Sequence, residues 1–259
     1  MEKFLYAVPI LMFAGVVRGY SGFGFAAASI VGMNLLFEPH QSVAIILSLN
    51  FICSIGVWKS AIDDADYKIF RRLLIGAIMG IPLGYLCLLL VPSEILKFLI
   101  CCSILVLSLL LYKEYKLTSA HKIQTQIGIG ITSGIGTSSA SVGGPMIVYY
   151  MLSSGLSIPS QRATMILYFL VSETIALLSL IFGGMVDQSV PKAVAILVIP
   201  TLLAVNYGQK LFKKNPPKSL KSFALPVLLV VSILGLVNSG MKLYQMNQDQ
   251  ETALQDSKG

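Results

Sequence analysis

Charge is what this sequence has least of. Of its 259 residues only 12% are Asp, Glu, Lys or Arg, 55% are hydrophobic, and the mean hydropathy is +0.79. A soluble domain carries about 25% charged residues, so there is too little polar surface here to cover a water-facing globule. Disordered and disulfide-scaffold readings fall on the same figures. Histidine is nearly missing: His40 and His121 are the only two, both in segments predicted as loops. No intramembrane serine has a histidine base, and no HExxH, Cys/His cluster or paired aspartate falls within an apolar run. An enzymatic reading lacks its base, and no metal or cofactor is expected. The four cysteines, Cys53, Cys87, Cys101 and Cys102, lie inside apolar runs and read as small packing residues. No nucleotide-binding motif is present, and no basic patch alternates with exposed aromatics as a nucleic-acid partner requires. The 19 basic residues, against 12 acidic, gather instead in short loops, as they do in cytoplasmic loops of membrane proteins.

What is there is apolar length. A span needs about 20 residues, and runs near 42–58, 73–91, 95–112, 163–183, 190–211 and 222–241 approach or reach it. Two further runs are interrupted. Residues 4–36 are cut by Arg18-Gly19-Tyr20-Ser21-Gly22-Phe23-Gly24, and residues 124–153 by the Gly/Ser-rich stretch from Ser133 to Pro145. Each cut is expected to leave apolar pieces of about 10–14 residues, too short to cross alone. The first segment reads as uncleaved, because Arg18 and the glycines break it before the alanines that would mimic a signal-peptide site.

A shift of 120 residues superposes the interruptions: Ser21 falls on Ser141, Gly24 on Gly144, Pro39 on Pro159, Gln41 on Gln161. The chain therefore reads as a duplication, with a membrane repeat over 1–112, a polar linker over 113–122, a second repeat over 123–241 and a polar tail over 242–259. Loop charge decides their relation. If each interrupted run crossed once, the lysines at 210–221 would lie opposite those at 59–72 and 113–122. If each is a re-entrant hairpin, all three clusters share one side, as the positive-inside rule asks. The expected fold is an all-α polytopic membrane protein of two inverted halves, each a broken or re-entrant helix pair plus three transmembrane helices, with both termini outside. Eight ordinary kinked spans are the alternative. Gly76, Gly80 and Gly84, spaced small-xxx-small, predict a close helix neighbour.

The two breaks carry the candidate chemistry. Backbone cannot stay unpaired in lipid, so a break at membrane depth faces protein or a wet cavity. A half-helix starting there aims its free N–H groups and positive dipole end at that cavity, which favours an anion. Ser21, Gly22, Gly24, Ser138, Ser139, Ser141, Gly143 and Gly144 are the candidate cradle, with Ser141 and Pro145 read as cap and first turn of a helix. Arg18 and Arg162 are candidate counter-charges, each with an anchoring or ion-pair role as the alternative. Asn50 is placed to line the same cavity or to bond a neighbouring helix. Glu173 is the only acid deep in a predicted span. Burial raises a carboxyl pKa, so Glu173 is the candidate proton carrier; pairing with an arginine is its alternative.

At these breaks the sequence resembles the sulfite exporter TauE/SafE family of membrane transporters. The resemblance rests on Gly15-Val-Val-Arg18-Gly19-Tyr-Ser21-Gly22-Phe-Gly24, on Gly134-Ile-Gly136-Thr-Ser-Ser-Ala-Ser-Val-Gly143-Gly144-Pro145, and on Arg162-Ala163-Thr164. It spans about residues 5–241. It implies a bacterial or archaeal inner-membrane permease for small organic or sulfur-containing anions such as sulfite, thiosulfate or sulfonates. Phe23 and Phe25 stand where small residues are frequent in the family. The expected function is a secondary transporter moving such an anion by alternating access, coupled to protons, with the bilayer and the anion as its partners and a homo-oligomer open. An anion channel and a non-transporting membrane assembly protein are the alternatives.

Overall fold

Lipid gives the backbone no hydrogen-bond partner, so so apolar a chain satisfies its own amides in helices. The computed structural model describes residues 2–55, 58–113, 117, 119–215, 225–226, 229–230, 232–237 and 240–241. Among the described residues the regular elements are helical and no strand occurs. They are α1 (Glu2–Ser21), α2 (Phe25–Leu36), α3 (Pro39–Ile55), α4 (Tyr67–Leu90), α5 (Ser93–Tyr112), α6 (Ile123–Ala140), α7 (Gly144–Ser153), α8 (Ile158–Phe182) and α9 (Ser189–Lys214). Four of these, α1, α4, α8 and α9, are long and apolar enough to cross a membrane. Residues 232–237, within the expected run 222–241, are helical too. Lys116, Lys218, Lys221 and the polar tail 242–259 lie outside the described residues.

The interruptions sit later than the sequence suggested. α1 continues through Arg18-Gly19-Tyr20 to Ser21, and α6 continues through Ser133 to Ala140, giving first arms of 20 and 18 residues instead of short pieces. Glycine is a poor helix former, but here Gly19 of α1 packs on Val205 and Gly134 of α6 on Ala77, and that contact with a neighbouring helix offsets its propensity. Only the second arms, α2 with 12 residues and α7 with 10, are too short to cross.

Each interrupted run folds back on itself. A side chain at Gly24 would meet Val17, one at Gly32 would meet Ile10, and the Phe4 and Phe37 rings lie 6.0 Å apart. In the second run the Ser133 hydroxyl donates to the Gly143 carbonyl at 2.9 Å, and the Gln126 amide donates to the Tyr150 hydroxyl at 2.9 Å. Both are antiparallel hairpins, not kinked spans. The turns use left-handed backbone, with Gly22 at φ 82°, Gly24 at φ 88° and Ser141 at φ 57°; the glycines adopt it without steric cost.

Two helix pairs dominate the packing: α4 on α6, and α1 on α9. Both run parallel. Gly76, Gly80 and Gly84 of α4 face the carbonyls of Ile127, Ile131 and Ile135 in turn, and a Cβ at Gly134 would sit 2.5 Å from the Ala77 carbonyl oxygen. Gly15 and Gly19 meet Ala204 and Val205 in the same increasing order. Helices without side chains between them gain dispersion and Cα–H···O contacts, which stand in for the hydrophobic effect inside a bilayer. By contrast α3 and α8 run antiparallel: Asn50 meets Glu173, while Ala61, just past the end of α3, packs on Ala163 near the start of α8. One end of the bundle thus carries Lys59, Lys68, Arg71, Arg72 and Arg162 together with the last turns of α9, because Arg162 lies 4.4 Å over the Phe212 ring.

Candidate functional site

Where the hairpin turns approach α3 and α8, three polar helix positions meet. Arg18 in the last turn of α1, Asn50 in α3 and Glu173 in α8 are 4%, 1% and 4% exposed. The Arg18 guanidinium lies 3.9 Å from Glu173 Oε2 and donates a short hydrogen bond to Ser54 Oγ. Ser54 donates to the Asn50 carbonyl at 2.8 Å, and Asn50 Nδ2 donates to Glu173 Oε1 at 3.1 Å. Arginine and carboxylate compensate each other's cost of leaving water. Satisfaction is incomplete: Glu173 Oε2 and Asn50 Oδ1 are buried and accept no hydrogen bond among the described residues.

These three side chains line one small cavity with Gly24, Ser141 and Gly144. The cavity is about 10 Å³, about the room one water needs. Two helices start on it. The first intrahelical bond of α2 runs from Ala28 N–H to the Gly24 carbonyl at 2.9 Å, so the N–H groups of Phe25, Ala26 and Ala27 precede the ladder. α7 starts at Gly144, with Pro145 in its first turn and no side-chain cap. Two positive dipole ends, one guanidinium and one carboxylate therefore share a space that a small oxyanion could fill only if the walls moved apart.

The remaining candidate residues go elsewhere. Ser21 turns back and donates to the Val17 and Phe23 carbonyls, closing the first turn. Gly22 packs against Arg162, where a Cβ would lie 2.8 Å from Cγ. Arg162 donates to the Gly19 carbonyl at 3.2 Å and stacks on Phe212, a cationic cap on the C-terminal end of α1. Ser138 is buried, its hydroxyl without a partner among the described residues, and lies outside the cavity lining. Ser139 bonds its own helix at Ile135 and faces a separate groove with Cys87 and Met146. Gly143 packs on Ser133 and Thr137. Ser141 does not cap α7 as its spacing with Pro145 suggested; it ends α6 in a left-handed turn and donates to the Val43 carbonyl at 3.2 Å. His40, expected in a loop, lies in the first turn of α3.

Sequence reasoning missed Phe25, Ala26, Ala27 and Phe169 as cavity walls and Ser54 as the partner of Arg18. Two of these had a signal. Ser54 is one helical turn after Asn50, and Phe169 one turn before Glu173, so each shares a face with a candidate residue. Tyr20, Tyr149 and Tyr150, flanking the breaks, stay outside the cavity lining. Among the described residues no cluster of His, Cys, Asp and Glu gathers in metal-binding number.

The family described as sulfite exporter TauE/SafE matches the chain over residues 7–234. Neither a curated protein nor a solved structure gives a match.

Proposed function

The chain belongs to the sulfite exporter TauE/SafE family of membrane transporters, and on that premise we propose a secondary transporter that moves a small sulfur-containing or organic oxyanion together with a proton. The observation that carries this reading is the buried Arg18–Glu173 pair at a cavity where α2 and α7 both begin. One arginine faces two candidate anions, the carboxylate and the substrate. At about 5 Å and an effective dielectric near 20, two like charges repel by roughly 3 kcal/mol. An oxyanion therefore enters at least cost when Glu173 is protonated. The proton releases Arg18 from the carboxylate, and the guanidinium turns its planar donors to the substrate oxygens. The N–H groups at the start of α2 and the α7 dipole complete the cradle, with Asn50 and the Ser141 region as polar walls. Proton and anion then move in one step, and re-forming the Arg18–Glu173 pair expels the substrate on the other side.

In this reading residues 1–112 and 123–241 are inverted repeats. The antiparallel run of α3 against α8 supports it, as does the reciprocal pairing of α1 with α9 and α6 with α4. The basic end of the bundle faces the cytoplasm of a bacterial or archaeal cell, following the positive-inside rule. The cavity at about 10 Å³ is too small for an ion of four or more heavy atoms, so the hairpin turns must part during the cycle, as alternating access requires.

The test is uptake of labelled sulfite, thiosulfate and a sulfonate into proteoliposomes, with and without a pH gradient. Saturable flux is expected, lost in Arg18→Ala and detached from the gradient in Glu173→Gln. Unsaturating current would favour a channel, and absence of flux for every anion would sink the substrate class.

A further inference from the structure

The C-terminal half of α9 has two dissimilar faces. Its inner face holds the turn of the first hairpin: Phe212 lies under Arg162 and edge-on to Tyr20 at 6.1 Å, and the Tyr20 hydroxyl donates to the Asn215 carbonyl at 3.0 Å. Its outer face carries an open groove lined by Leu203, Asn206, Tyr207, Gln209, Lys210 and Lys213. The groove is about 510 Å³, by far roomier than the central cavity. Its floor is apolar and bare, with Leu203 64% and Tyr207 58% exposed. Its upper end is cationic, with Lys210 and Lys213 and no acidic residue among the described lining.

We propose that this groove binds the headgroup of an anionic phospholipid. Along the helix the lining runs from apolar to cationic, with Leu203 at one end, Asn206, Tyr207 and Gln209 between, and Lys210 and Lys213 at the other. Leu203 and the Tyr207 ring meet acyl chain, Asn206 and Gln209 offer amides at the depth of the glycerol esters, and Lys210 and Lys213, one helical turn apart, meet the phosphate. A free phosphate has no use for the apolar floor, and an uncharged lipid none for the lysines. Lysines at the cytoplasmic surface each add severalfold to anionic-lipid affinity. A lipid seated here also stiffens the stretch of α9 that holds Arg162 and Tyr20, and so steadies the first hairpin turn. The inference stands whether or not the proposed substrate is right, since lipid binding is read without transport.

The full-length chain, purified in detergent, is titrated with phosphatidylglycerol or phosphatidylcholine and read by native mass spectrometry and by melting temperature. Phosphatidylglycerol is expected to be retained at least about tenfold better and to raise the melting temperature. The exposed-face variant Lys210→Gln/Lys213→Gln should lose that preference, Lys210→Arg/Lys213→Arg should keep it, and the charge-matched Lys68→Gln/Arg71→Gln should keep it too. Equal retention of the two lipids, or an equal loss in the charge-matched variant, would overturn the proposal. Complete displacement by millimolar glycerol phosphate would replace the lipid site with a free-anion site.

Discussion

Removing Arg18 leaves Glu173 in the protein interior with the Asn50 amide as its hydrogen-bond partner among the described residues. Breaking a buried pair from one side costs about 3–5 kcal/mol, whereas neutralising both partners costs much less. Arg18→Ala is therefore expected to lower the melting temperature of the purified protein sharply, and Arg18→Ala/Glu173→Gln to recover most of the loss; equal melting of the two variants would contradict the pairing. The two adjacent glycines of the second turn should separate structure from function. A Cβ at Gly144 would meet Phe169 at an ordinary 3.7 Å beside the cavity, while one at Gly143 would lie 2.5 Å from the Ser133 carbonyl oxygen. Gly144→Ala should fold normally and transport less, and Gly143→Ala should lose about 1–3 kcal/mol of stability through overpacking. Melting curves and flux, measured on the same preparations, distinguish the two. Arg18, Glu173 and Gly144 were legible in the sequence because charge and glycine are conspicuous in apolar surroundings. Phe25, Ala26 and Ala27 were not, because an apolar residue lining a cavity looks like any other.

At the scale of elements, the parallel pairs α4 with α6 and α1 with α9 hold the bundle. Gly80 packs directly on the Ile131 carbonyl, whereas Gly128 of α6 has open space around its Cα. Gly80→Ala is expected to push the helices apart and lower thermal stability, and Gly128→Ala to leave it unchanged or raise it slightly through helix propensity. The starts of α3 and α9 are tied by Asp187, which accepts from the Ser189 hydroxyl and amide, the Val190 amide and, at 2.9 Å, the Gln41 amide. Those bonds, Ser189 first, hold its carboxyl down to about 2. A depressed folded-state pKa gives stability that is present above the ordinary carboxyl range and lost as pH falls through about 2. Asp187→Asn should thus melt lower than the parent at pH 5 to 7 and converge with it as pH falls from about 4 toward 2; a constant gap would disprove the tie. The small-residue spacing of α4 announced a close neighbour in the sequence, but its identity as α6 did not follow, since any helix with its own glycines would fit.

For the molecule as a whole, the antiparallel run of α3 and α8 fixes which loops share a side. Single cysteines at Asp64 and Asn215, introduced into a cysteine-free background, should react with an impermeant thiol reagent from one face of the membrane, and those at Ser93 and Gln188 from the other. Labelling of Asp64 and Asn215 from opposite faces would refute the arrangement. The sequence by itself determined the solvent, the secondary structure and the two breaks. Hydropathy and the low charge count force helices in lipid, and clusters of glycine and serine mark where helices must stop facing lipid. It also determined the family, through the order and spacing of those breaks. Only the tertiary structure decided that each break is a hairpin turn placed at Gly22–Gly24 and Ser141–Gly143, later than local propensity indicated, because contact with α9 and α4 carries α1 and α6 through their poor helix formers. It alone brought Arg18 to Glu173, residues far apart in the chain, because burying one charge in an apolar bundle demands the other. And it sent Arg162 away from the cavity to cap α1, since a cation gains more from helix-end carbonyls and an aromatic face than from a second arginine's field.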